Sequence, residues 1–221
     1  FRPLALATGT VTVTQSAISL AADYLGSGLQ RARSVSTPGA PAPVGGTPIR
    51  LTAARTGVVQ FAPNATSAGV DTLDVVIPAG AVSATFYVQA ADGIVADTVL
   101  ISATSPGFVT ATAEQRVWRA AYRISGLNAS GTPFTADDPF YVSVGSPNAP
   151  TGTIISVADD RRFGAAPFDA SVVSGSPTVA TLFRTAGVTD SAVVQIAAGT
   201  SDSPTSVAAG GVAMRYLANG V

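Results

Sequence analysis

Histidine, cysteine and lysine are all missing from this sequence. Their absence removes most of the common catalytic chemistries. Without His and Cys there is no Ser-His-Asp triad, no thiol nucleophile and no ordinary zinc site. Without Lys there is no Schiff base, no phosphate-binding loop of the Walker type and no Lys–Asn isopeptide cross-link. Disulfides are excluded too, so core packing and hydrogen-bonded ladders must carry the stability; missing Cys is compatible with an exported bacterial protein. Charge is scarce. Only 11% of residues are charged, against roughly 25% in ordinary soluble domains. All twelve basic residues are Arg, and Glu114 is the single Glu. The net charge of −1 leaves no electrostatic footprint for nucleic acid. Long apolar runs are also lacking. Each is broken by Pro, Gly or Asp before about 18 residues, so no membrane span is expected.

What is present is alternation. From Asp71 to Val117 the chain reads as four strands and three tight turns. Leu73, Val75 and Ile77 alternate with polar neighbours until Pro78-Ala79-Gly80. Val82, Ala84, Phe86, Val88 and Ala90 alternate with Ser83, Thr85, Tyr87 and Gln89 until Ala91-Asp92-Gly93. Val99, Ile101 and Ala103 form a third stripe, and Val109, Ala111 and Ala113 a fourth beyond Ser105-Pro106-Gly107. Period-two patterning punctuated by Pro, Gly and Asp predicts antiparallel strands with one dry and one wet face. Leu73, Val75, Ile77, Val82, Ala84, Phe86, Val88, Val99 and Ile101 are the predicted core.

Read along its length, the chain is predicted to be all-β, with tandem immunoglobulin-like antiparallel β-sandwich domains and almost no helix. Its 221 residues suit two sandwiches of roughly 100 residues each. The expected division is residues 1–16 as a strand from the end of a preceding repeat, 17–118 as one sandwich, and 119–221 as a second, incomplete at its C-terminus. Thr10–Gln15 reads as a strand, Ala21–Arg33 as one extended, bulged strand, and Ser34–Pro48 as a Pro/Gly loop. Residues 118–136 read as a crossover with strand pairing near Tyr122–Ile124. Phe140–Val144, Thr153–Val157, Ala170–Val173, Val179–Phe183 and Ala192–Ile196 are further short strands.

Two internal echoes stand out. Asp71–Gly80 aligns with Asp190–Gly199, and Phe1-Arg-Pro-Leu-Ala5 resembles Met214-Arg-Tyr-Leu-Ala218. Phe1 is not an initiator Met, and a processed chain or a piece of a longer one is expected. The end-to-end echo predicts a chain cut out of register with its domains. Residues near 1–16 would then complete the second domain of the preceding copy.

The run Val75–Val88 (VVIPAGAVSATFYV) followed by Asp97–Val117 (DTVLISATSPGFVTATAEQRV) resembles the bacterial immunoglobulin-like repeats of invasin and intimin type. Ser176–Leu182 and Thr205–Gly220 are similar to segments of the same kind of repeat. The resemblance implies an extracellular location, tandem spacing domains and an adhesive or scaffold role, and it carries no catalytic residue over. Ala21–Arg33 and Asp159–Phe163 depart from it.

Few residues invite a chemical reading. The acidic pairs Asp137-Asp138 and Asp159-Asp160 could supply some of the six to eight oxygens that calcium takes, but turn chemistry beside Pro139 and an ion pair beside Arg161-Arg162 account for them as well. Arg161-Arg162 with Phe163 and Phe168 could contact an anion or glycan. Tyr24, Tyr87, Trp118 and Tyr122 could stack on sugars, with Tyr87 on the wet face and Trp118 expected at the domain junction. Asn64-Ala-Thr66 and Asn128-Ala-Ser130 are glycosylation sequons. No catalytic, cofactor-binding or metal residue is assigned, and no cofactor is expected. The expected function is a non-enzymatic extracellular or cell-surface structural and adhesive segment, stacking head to tail with neighbouring copies as a stalk or filament and contacting surface glycans. The alternative is a carbohydrate-binding or accessory module of a secreted hydrolase.

Overall fold

The computed structural model describes residues 14–39, 41–152 and 155–218. They form an all-β protein in which the one helical element is a 3-10 turn, Val207–Ala209. The first eleven strands are β1 (Ser16–Ala17), β2 (Ser19–Leu20), β3 (Asp23–Gly26), β4 (Leu29–Ser36), β5 (Thr47–Ala53), β6 (Val59–Ala62), β7 (Thr72–Ile77), β8 (Ser83–Ala90), β9 (Ala96–Thr104), β10 (Phe108–Val109) and β11 (Ala111–Trp118). The remaining nine are β12 (Ala121–Ser125), β13 (Asp138–Pro147), β14 (Ile155–Ala158), β15 (Asp160–Arg161), β16 (Phe168–Val173), β17 (Ala180–Arg184), β18 (Gly187–Thr189), β19 (Ser191–Ile196) and β20 (Val212–Tyr216).

Residues up to Trp118 build the parallel pair β1-β10 and, with β15 added from later in the chain, two larger sheets. One runs β3-β11-β9-β5-β7. The other runs β15-β4-β8-β6, with β2 also on β4. The alternation decides which side chains point between them. Leu25, Val117, Val99, Ile101, Ile49, Leu51, Val75 and Ile77 from the first sheet, with Val35, Phe86, Val88, Val59 and Phe61 from the second, are all buried. The Phe61 and Phe86 rings lie 6.2 Å apart and tilted, a favourable aromatic arrangement. Strands consecutive in sequence fall in opposite sheets: β7 pairs β5, β8 pairs β4 and β6, and β9 returns to β5 and β11. The Pro78-Ala79-Gly80 and Ala91-Asp92-Gly93 turns therefore carry the chain across the sandwich.

Three expectations change. Val82 is 47% exposed, because the β4–β8 ladder ends at Ser36–Ser83 and Val82 lies beyond it. Leu73 and Ala84 are partly buried, packed against the rim of the core. Ala21–Arg33 is two strands in different sheets. A turn at Ser27-Gly28 sends β3 alongside β11, in parallel, and β4 alongside β8. Of the expected strand Thr10–Gln15, residues 10–13 lie outside the described residues, and Thr14 and Gln15 are not in a strand. Phe1–Ala5, Thr153 and Val221 also lie outside them.

Residues from Ala121 onward build a six-stranded sheet, β12-β13-β20-β17-β18 with β14 also on β13, and a two-stranded ribbon, β16-β19. Phe140, Val142, Val144, Leu182 and Val212 from the sheet meet Ala170, Val172, Val194 and Ile196 from the ribbon, all buried. The pairings follow those of the first sandwich in the same chain order. Phe61 bridges Val70 and pairs Val88; Leu182 pairs Thr189 and Met214. Ser36 pairs Ser83 and Arg31 pairs Val88; Ser143 bridges Asp202 and Asp138 pairs Met214. So β13, β16, β17, β19 and β20 stand where β4, β5, β6, β7 and β8 stand. The last of these is interrupted, because residues 204–211, with their 3-10 turn, loop out between Ser203 and Val212. Among the described residues nothing after β20 corresponds to β9 or β11.

Phe86 is fully buried and Tyr87, its neighbour on the opposite face, is half-buried. Phe86→Ala is expected to cost ~3–5 kcal/mol in urea unfolding because it opens a cavity between the sheets. Tyr87→Ala should cost much less. Equal losses would show the register of β8 to be wrong by one residue.

Candidate functional site

The chemically richest place in the molecule is the seam between the two sets of sheets, and β15 makes it. This two-residue strand lies in a loop of the second set, yet it pairs antiparallel with β4 of the first, Asp160 opposite Gln30 and Arg161 opposite Leu29. The Arg161 backbone also bonds back into its own half: its N–H donates to the Thr200 carbonyl at 2.8 Å, and its carbonyl accepts from the Gly199 N–H at 2.8 Å. One short strand thus belongs to both halves.

Arg161 is buried, so its donors need partners. Nη1 donates to the Gly28 carbonyl at 2.7 Å and to the Asp92 carboxylate, and Nε donates to the Ala166 carbonyl at 2.8 Å. The guanidinium lies over the Phe168 ring, 3.9 Å from its centroid. Asp92 takes a second guanidinium from Arg162 at 2.6 Å. Partial burial alone would raise the Asp92 carboxyl, but the bonds and charges of Arg161 and Arg162 outweigh it and hold it below the usual carboxylate range. Gly28 makes this approach feasible. Its φ of +75 suits glycine, and a Cβ there would collide with Arg161, Asp92 and Phe168.

A second cluster sits on the other side of β15. Asp159 is buried and receives Arg31 in a two-pronged pair, Nε to Oδ1 and Nη2 to Oδ2, both at 2.7 Å. It also accepts from Ser146 Oγ at 2.5 Å, while Ser146 Oγ accepts from the Gly26 N–H at 2.5 Å. Asp23 neutralises Arg31 and Arg33 at 3.0 and 3.1 Å. Burial lowers the Arg33 guanidinium, with Asp23 only partly restoring it. For Arg31 the bonds and charges of Asp159 and Asp23 outweigh burial and raise it. Gly26 lets the two halves meet closely, since a Cβ on it would lie 3.3 Å from the Gly145 carbonyl. One connected apolar core runs through both halves, from Ile18 to Val212.

The residues singled out in the sequence are dispersed by these contacts. Asp137 is held by Arg215 at 2.6 and 2.7 Å, and that hydrogen bond keeps its carboxyl below the usual range. Asp138, its buried neighbour, accepts from the Asn128 backbone and side chain and from Tyr216. Among the described residues no cluster of three acidic side chains is arranged to hold a metal ion. Tyr24 stacks on Trp118 at 5.3 Å, and Trp118 accepts the Ser27 N–H through its carbonyl, placing it at the seam. Tyr122 meets Phe168 edge-on at 6.3 Å. Phe163 is exposed, and its N–H donates to Gln30 Oε1. Asn64 Oδ1 accepts from the Thr66 N–H and from both neighbouring hydroxyls, a local turn. Gly28, Asp92, Asp23 and Ser146 were not visible as a set in the sequence; the one signal was the run Asp159-Asp160-Arg161-Arg162, a cluster of charge in a chain that has little.

The second feature is an open groove of about 380 Å³ between β12 and the edge of β16, lined by Tyr122, Ile124, Val142, Ala170, Val172 and Val173 among others. No protein-family model matches this chain, and no curated protein matches it.

Gly28→Ala should cost more than about 1 kcal/mol, since a positive φ and a filled space both oppose the methyl group. The check is urea unfolding together with protease sensitivity of residues 162–167, which should rise; unchanged stability and cleavage would mean that the seam tolerates separation. Asp160 titrates the other way. Burial, then the charges of Asp159 and Asp202, raise its carboxyl. A raised acid costs stability above its folded pKa, and that cost disappears as pH falls to the unfolded value. Asp160→Asn should therefore raise the melting temperature at pH 7, with the gain vanishing below about pH 4. A gain that is constant with pH would show that charge is not its origin.

Proposed function

We propose that this chain is a non-enzymatic structural segment of an extracellular or cell-surface protein, a stalk of β-sandwich units set end to end. The observation that carries the reading is the seam. A spacer has to transmit position from one unit to the next, and a flexible linker does not. Here a strand shared between sheets, two guanidinium–carboxylate clusters and a continuous core tie successive units together. The strand pairings of the second set, following those of the first, support a tandem origin for the two. The guanidinium and carboxylate groups of Arg31, Arg161, Arg162, Asp92 and Asp159 are engaged with one another, so they are spent on position rather than offered to a substrate. The absence of His, Cys and Lys from the sequence points the same way.

The carbohydrate-binding alternative needs coplanar exposed aromatic faces. Tyr24 is stacked on Trp118 and Tyr122 is edge-on to Phe168, so these rings are engaged with each other. The adhesive role and any contact with surface glycans remain part of the proposal as properties of the assembled stalk.

The experiment is immunolabelling. Antibodies raised against this chain, applied to intact cells of the source organism, are expected to label the surface, and external protease should remove the signal. Labelling confined to permeabilised cells would overturn the reading.

A further inference from the structure

The open groove has a specific cause. Cross-strand partners share a face of their sheet. Tyr122 pairs with Val144 and Ile124 with Val142, so all four point toward the same side. Val144 and Val142 are 0% and 4% exposed; Tyr122 and Ile124 are 43% and 50% exposed. The difference lies in what is opposite. The ribbon β16-β19 covers one half of the six-stranded sheet and stops. In the first sandwich the strand standing where β16 stands, β5, has β7 on one side and β9 on the other, with β11 beyond. Among the described residues β16 has β19 on one side and no strand on the other. Its second edge therefore presents a row of backbone donors and acceptors beside an apolar face.

We propose that this edge and groove are filled by the N-terminal segment, residues 1–13, of a second copy of this chain, which adds a strand to β16. This rests on the stalk reading above and deepens it by naming how one copy joins the next. The first sandwich shows what covers such an edge: a β-strand with apolar residues alternating inward, as Val99, Ile101 and Ala103 do in β9. Residues 10–14, Thr-Val-Thr-Val-Thr, carry that pattern, with Val11 and Val13 for the groove and threonines for the wet face. The place where the segment joins the fold favours another copy over its own. Ser16 and Ala17 pair with Phe108 and Val109, before β11 begins, whereas the seam lies where β11 ends, at Trp118. Ser16 thus lies at the end of the first sandwich opposite the second, separated from β16 by the eight residues of β11, roughly 25 Å at the usual strand rise, plus the seam. A copy stacked head to tail presents the segment to the open edge directly. Such a contact is heterologous and repeats indefinitely, giving a filament.

The test uses the natural absence of cysteine. Full-length S171C, on the outer face of β16, is mixed under oxidising conditions with T8C, T10C or T12C chains. At least one mixture is expected to give a disulfide-linked heterodimer. Sedimentation of the unmodified chain should show concentration-dependent multimers. Deletion of residues 1–13 should abolish them, and Ile124→Asp should weaken association roughly tenfold or more while leaving the melting temperature of the monomer unchanged. A monomer at every concentration would overturn the proposal. So would a double variant, T12C with S171C, that closes only on itself. Multimers that survive the deletion without any cross-link would overturn it while leaving the stalk reading standing. Failure of surface labelling would overturn the stalk reading but not the strand pairing.

Discussion

The buried guanidinium of Arg161 is the constraint on which the arrangement of the two halves depends. A charge taken out of water must find its partners close by, and those of Arg161 come from three places: the Gly28 carbonyl and Asp92 in the first sandwich, and the Ala166 carbonyl in its own loop. None of these partners can be moved independently. Moving the second half away from the first would strip the carbonyl and the carboxylate from this cation and break both bonds at once. Arginine suits this place better than lysine. Its planar fork reaches several acceptors at fixed angles, and its face packs on Phe168.

Asp159 makes the same argument from the acidic side. It is buried and held by Arg31 across the seam, with Ser146 bridging to the Gly26 backbone. Asp159 immediately precedes β15 and Arg161 lies in it, so the strand pairing and the charge pairing reinforce each other. In a chain that has no cysteine, this combination ties the two halves together without a covalent link.

The same economy explains the open groove. A sheet face of six strands needs an opposing layer wide enough to cover it, and two strands are not wide enough. The first sandwich solves the problem with β9, β11 and β3, the last lying in parallel beside β11. In the second half the apolar side chains of β12 extend past the ribbon that faces the rest of their sheet. Among the described residues, the edge of β16 beside them carries no further strand.

The strands were legible because the side-chain period of two is a local property. Residues such as Val75, Ile77, Phe86, Val88, Val99 and Ile101 declare their face through their immediate neighbours, and the Pro- and Gly-containing turns declare where each run ends. All-β architecture and the near absence of helix follow from that pattern alone. Local pattern does not say which strand lies beside which. It left Ala21–Arg33 as one strand, because nothing in the sequence near Gly28 reveals that Arg161, more than a hundred residues later, needs its carbonyl. It placed Val82 in the core, because the end of the β4–β8 ladder is set by the partner strand. The acidic and basic pairs were visible as charges, but their partners were not, since Asp92 and Arg161, or Arg31 and Asp159, meet only when distant loops are brought together. The sequence by itself determined the element type and the dry face of most strands. Tertiary structure alone decided the pairing order, the shared strand at the seam and the uncovered edge, because those depend on contacts between residues far apart in the chain.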